Sequence, residues 1–106
     1  AVRKWAYESG FHLKTEVWTE KDFQLLAFQK ADSVDPAYAR FASDDDLFEA
    51  SHVFGPVFLS QHDPSLLKRL QAESRYYEEL PKLEAISKHR LRLIHIALQW
   101  LADQSN

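Results

Sequence analysis

The segment His52-Val53-Phe54-Gly55-Pro56-Val57-Phe58-Leu59-Ser60 sets one of the chain's two glycines against a proline, inside an apolar run. Gly-Pro breaks regular structure: glycine admits backbone angles closed to other residues, while proline fixes its own φ and lacks an N–H. The flanking Val, Phe and Leu side chains nevertheless require burial. The chain must therefore change direction inside its own core. This predicts a junction at 52–62, fixed by Phe54, Gly55 and Pro56, with an ordinary core loop as the simpler alternative.

At 106 residues, 45% apolar and 13% aromatic, the chain is one folded domain or part of one. It contains no cysteine, which excludes disulfides, thiolate catalysis and Cys-based zinc sites and fits a reducing, cytoplasmic setting. No apolar run approaches the roughly 18 residues of a membrane span, so no membrane partner is expected. The N-terminus lacks the order of a signal peptide. Net charge is −3, unevenly spread: residues 63–106 carry 7 basic and 6 acidic side chains against 6 and 10 in 1–62. That balance is far from a strongly basic nucleic-acid module.

Residues 1–9 read as a helix with Val2, Trp5 and Ala6 on one side, closed by Gly10 in the left-handed geometry. No capping residue precedes it, which points to chain upstream and to a fragment. FHLKTEVW (11–18) alternates as a half-buried strand, with Phe11, Leu13, Thr15 and Val17 on one face. FQLLAFQ (23–29) is a second strand, apolar on both faces and therefore expected to be covered on both sides. The two form an antiparallel hairpin. A lone hairpin is marginal in water, so more sheet or a partner surface is expected.

Asp35-Pro36 and Ser43 with Asp46 each predict one or two turns of helix. VFLS (57–60) is a brief extended piece. Asp63-Pro64 starts a longer helix, striped by Leu66, Leu67, Leu70, Tyr77 and Leu80. Pro81 interrupts it. The last helix shows one face at Leu83, Ile86, Arg90, Leu93, Ala97 and Trp100. Its second face, Leu91, Ile94, Leu98 and Leu101, is a candidate pairing surface for a partner or a second copy. Whether the two helices form a hairpin or one kinked rod is left open.

Lys68, Arg75, Lys82 and His89 recur every seven residues, with Arg69, Lys88, Arg90 and Arg92 nearby. On an unbroken helix these make a stripe that tracks phosphates, although intervening glutamates offer pairing. A charged helix face is more often merely solvated. Tyr76 is free to stack on a base, whereas Tyr77 belongs to the apolar stripe. No catalytic or metal residue is assigned. His89 and His95 lie six apart, wrong for sharing a helix face, and Asp63 beside His62 is better explained as a helix cap. Asp44-Asp45-Asp46 lacks the spacing of a calcium loop and suits a helix start.

Together, VRKWAYESGFHLKTEVW, FQLLAF and LFEASHVFGPVFLSQHDPSLLKRLQAESRYYEEL resemble the C-terminal part of bacterial tRNA adenine-N1 methyltransferases acting on the D-arm. The matching positions are Val2, Arg3, Trp5, Gly10, Phe11, Glu16, Leu47, Phe48, Phe54, Gly55, Pro56 and Leu59. The resemblance covers roughly residues 1–28 and 47–85, and residues 30–46 depart from it as an insertion. It implies an α+β chain in which 1–51 end a Rossmann-like methyltransferase sheet, 52–62 form the junction, and 63–106 form a helical, coiled-coil-like tail. It implies S-adenosylmethionine for the parent enzyme, and tRNA and the upstream domain as partners. The family's cofactor loop and catalytic residues lie upstream of everything matched, so no cofactor or catalytic residue is carried over and the chain alone is expected to be inactive. A rival reading is a small non-catalytic α+β interaction module pairing through its last helix.

Overall fold

A computed structural model describes residues 2–103 of the chain; Ala1, part of the expected first helix, lies outside them. The fold is α+β. Helix α1 (Val2–Glu8) leads into an antiparallel hairpin of β1 (Phe11–Trp18) and β2 (Gln24–Lys30), then a 3-10 turn (Pro36–Phe41). Four helices follow: α2 (Asp45–Phe54), α3 (Pro56–Ser60), α4 (Pro64–Glu78) and α5 (Ala85–Asp103).

The ends of these elements follow local chemistry. Gly10 takes φ +82° and ends α1. The Asp35 carboxylate accepts from Ala37 N at 3.0 Å to start the 3-10 turn, and from Leu13 N at 2.7 Å, satisfying a β1 amide. Asp63 accepts from Leu66 N at 2.8 Å and caps α4. Pro81 falls in the segment 79–84, so it separates two helices and does not kink one. α5 crosses the C-terminal half of α4, where Arg90 meets Glu73 and His95 meets Glu78.

Four local expectations are corrected. Helix α2 runs for ten residues, and its cap is Asp44, which accepts from Asp46 N and Leu47 N; Ser43 plays no such part. VFLS is helical, because Pro56 stands at the first position of α3. On α1 the inward residues are Arg3 and Ala6, while Val2 and Trp5 lie outside, 52% and 58% exposed. Strand β1 does not keep one alternation: a bulge between Leu13 and Thr15 shifts the register. Leu13 faces inward before it, Glu16 and Trp18 after it, and Val17 is turned out.

The main core gathers Phe41, Ala50, Phe54, Phe58, Leu59, Leu66, Leu70, Leu93, Ile94, Ala97 and Leu101. It thus joins the expected junction to both flanking parts. A second, aromatic cluster packs Tyr7, Tyr38, Phe48 and His52 together between α1, the 3-10 turn and α2. His52 is buried there, and its Nδ1, like the Tyr38 hydroxyl, finds no hydrogen-bond partner among the described residues.

Burial, aided by the nearby Lys4 charge, pushes the His52 imidazole below its ordinary 6.5. A folded-state pKa below the unfolded value leaves stability intact above about pH 6.5. As the pH falls through that point the unfolded chain takes up the proton first, and stability drops until the folded imidazole titrates too. Denaturant unfolding at pH 7.5 and pH 5 is therefore expected to show a smaller acid loss in His52→Phe than in wild type. An equal loss in both proteins rules the imidazole out as its source.

Candidate docking and nucleic-acid surfaces

The Gly55-Pro56 break resolves into an ionic joint. Gly55 adopts φ +112°, a region that side-chain-bearing residues rarely enter. This aims the first amides of α3 at β1, where Glu16 Oε2 accepts from Val57 N and from Phe58 N, both at 2.8 Å. The other carboxylate oxygen accepts from Arg3 Nε at 2.8 Å. Arg3 also donates to the Val53 carbonyl at the end of α2 and to Gln24 Oε1 on β2. Both charged side chains are almost wholly buried. Burial raises the Glu16 carboxyl above its ordinary value, while Arg3 and the two amides pull it back. One arginine and one carboxylate thereby tie α1, β1, β2, α2 and α3 together.

Phe54 and Pro56 are buried as a junction requires, and a Cβ on Gly55 would stand 2.6 Å from the Glu16 carboxylate. Sequence reading named Arg3 and Glu16 only as positions of resemblance and missed their pairing. The available signal was an acidic residue in a strand and an arginine amid small and apolar residues of a helix. The bulge that brings them together leaves no mark in the residue pattern.

Toward its turn the hairpin's outer face is apolar and uncovered by the described residues. Phe23 is 69% exposed, Leu25 53% and Val17 46%, and Val17 stands directly opposite Leu25. Among the described residues β2 has one strand neighbour, and residues 23–29 contain no charge, proline or glycine, with Lys30 closing the strand. The expected cover on both sides of β2 is thus not supplied by the described residues: most of the strand lies exposed. Natural edge strands are usually blunted by charge, proline or a bulge, and here the bulge is on β1.

The basic residues of the expected stripe are split. Arg69 pairs with Asp22 at 2.8 Å and lies over the Trp18 ring at 4.1 Å, so it braces the hairpin turn against α4. Trp18 in turn stacks on Phe58 and donates to Asp63. Arg90 grips Glu73 with two nitrogens and covers Phe54. Arg92 holds Asp46, which lowers that carboxyl, and His89 meets Glu49 at 2.7 Å. Lys82 lies between helices, off the heptad. Lys68, Arg75, Lys82 and Lys88 are exposed, and no ion pair is seen for them among the described residues. Lys68 and Arg75 share one face of α4, beside Tyr76, which is 61% exposed, while Tyr77 packs against the core.

The pairing candidates on α5 divide as well. Ile94 and Leu101 are consumed by this chain's own core, and Leu91 and Leu98 are half-buried. That face does not open to a partner as a continuous strip. Among the described residues, no group of three or more His, Asp and Glu is placed to hold a metal ion. No helix among them is long and apolar enough to cross a membrane. Set against protein-family models, curated proteins and solved structures, the chain matches none.

Proposed function

We propose that the chain is the C-terminal portion of an S-adenosylmethionine-dependent tRNA adenine-N1 methyltransferase of the cytoplasm. In this reading its hairpin closes the sheet of the upstream catalytic domain, and α4 contributes a tRNA contact. The observation that carries the reading is the hairpin: an outer face apolar toward the turn, on a strand with no charge before Lys30 and one neighbour among the described residues, suits a position at the end of a larger sheet. The resemblance at Arg3, Glu16, Gly55 and Pro56 falls on the residues that hold this hairpin to the helices, which adds support. S-adenosylmethionine and the methyl transfer belong to the upstream domain, and this chain supplies only shape and positive charge. Lys68, Arg75 and Tyr76 are the contact residues, with Lys82 and Lys88 as further exposed cations of the helical part.

Anisotropy of labelled tRNA tests the contact. Lys68→Glu/Arg75→Glu is expected to weaken binding about tenfold at low salt and to flatten its salt dependence. Absence of salt-dependent binding by the wild-type chain defeats the RNA half of the proposal. The docking half is tested by Val17→Lys/Leu25→Lys. If that face meets something outside this chain, the substitutions leave stability within about 0.5 kcal/mol. A loss of several times that would place the face inside this chain's own core.

A further inference from the structure

A cleft of about 410 Å³ opens between α1 and α2, and Tyr7, Phe48 and His52 line it with Val53 beside them. The three ring planes cross at 78°, 74° and 71°, with centroids 4.6 to 5.4 Å apart. They stand as mutually near-perpendicular walls. Tyr38, almost wholly buried, backs His52 at 4.5 Å between ring centroids, so the walls are held before any ligand arrives. We infer that this cleft binds a small quaternary ammonium cation.

Charge and ring faces both point to that class. The rim carries Glu8, Asp45 and Glu49 against Lys4, an excess of negative charge. Glu49 meets His89, whereas Glu8 and Asp45 are exposed and pair with no basic residue among the described ones. The fold sets its own cations over three other rings: Lys30 over Phe11 at 5.0 Å, Arg69 over Trp18 at 4.1 Å and Arg90 over Phe54 at 4.8 Å. None of the described cations stands over Tyr7, Phe48 or His52, although Lys4 is at the rim. These rings are therefore left for a cation from outside, which an aromatic face attracts within about 6 Å of its centroid. The His52 imidazole, held below its ordinary value by burial, is uncharged at neutral pH and does not repel one.

A quaternary head suits the cleft better than a primary amine. The free carboxylates stand at the exposed rim, the walls are rings and Val53, and the His52 Nδ1 that finds no partner among the described residues is itself buried. N–H groups carried inside would give up water without replacement, while methyl groups have no hydrogen bond to lose. The site shares no residue with the hairpin face or with Lys68, Arg75 and Tyr76, and it does not depend on the function proposed above.

Titration of the chain with choline, followed by proton NMR, tests the inference. Saturable upfield shifts of the choline methyl groups are expected, with matching changes at the Tyr7, Phe48 and His52 rings. Dimethylbutanol, in which carbon replaces the charged nitrogen, is expected to bind at least about tenfold more weakly. Glu8→Gln/Asp45→Asn is expected to weaken choline binding about threefold or more, and Lys4→Gln to tighten it. All three positions are exposed, so the variants fold. No saturable shift up to about 50 mM choline overturns the inference. So does equal affinity for the neutral isostere, indifference to the charge substitutions, or ring shifts confined to aromatic residues elsewhere.

Discussion

Glu16→Ala is expected to cost about 3–5 kcal/mol, because it leaves the Arg3 guanidinium buried without its counter-charge. Val57 and Phe58 lose the acceptor for their amides at the same stroke. Against a total stability of about 5–15 kcal/mol for a domain this size, the variant is at or near unfolding at room temperature. The intact pair is not, for that reason, a large net source of stability. Burial raises the Glu16 carboxyl despite Arg3, so the attraction does not fully offset the loss of water. Arg3→Met/Glu16→Gln should consequently recover at least about half of the loss, since the glutamine oxygen still accepts from the α3 amides and no charge remains. Urea unfolding of the three proteins measures this. A Glu16→Ala loss below about 1 kcal/mol would mean that the pair is solvated in solution.

Gly55→Ala is the second large effect, expected at about 3 kcal/mol or more. Two costs combine. A φ of +112° strains any residue with a Cβ. The added carbon also meets the Glu16 carboxylate at 2.6 Å, and that carboxylate is pinned by three donors and has nowhere to retreat. The two costs are separable by a double-mutant cycle. Introduced beside Arg3→Met/Glu16→Ala, where position 16 ends at Cβ, the Gly55 substitution keeps its backbone strain and loses the collision, so its cost should shrink by about 1–3 kcal/mol. Full additivity would mean that strain alone accounts for it. A loss within about 0.5 kcal/mol for the single variant would rule out the φ described for Gly55.

Much of the helical architecture is legible in the residues, and for stated reasons. Asp63-Pro64, Asp35-Pro36 and Gly10 act locally, through groups within three residues of one another, so a reader of the chain sees both partners at once. The hairpin is legible from two short apolar-rich runs around a polar turn, and Tyr76 and Tyr77 from their places off and on a helical stripe. What escapes is whatever depends on partners far away in the chain. The β1 bulge turns Glu16 inward, and its donors stand 13, 41 and 42 residues distant. The stripe of basic residues reads as free on an unbroken helix because Asp22, Asp46 and Glu49, which pair with Arg69, Arg92 and His89, come from elsewhere in the fold. Ile94 and Leu101 looked available because an apolar residue reads the same whether its neighbour is its own chain or another.

The ionic joint also decides what can be exchanged between related chains. Helix α3 carries no cap of its own, since Gly55 has no side chain to offer and its first amides are served by a residue on a strand. Arg3, Glu16 and Gly55 are therefore heritable only as a set. A recombinant taking residues 1–18 from one parent and 50–60 from another keeps its helix start only if both parents agree at all three positions. A single unmatched substitution among them strands a buried charge or drives a methyl into a carboxylate. The proline beside the glycine is tolerant by comparison, as it merely favours a helical turn that the carboxylate anchors. In a library of shuffled relatives, crossovers between the hairpin and α3 are thus filtered by three residues that touch in space and lie 13 to 52 apart in the chain.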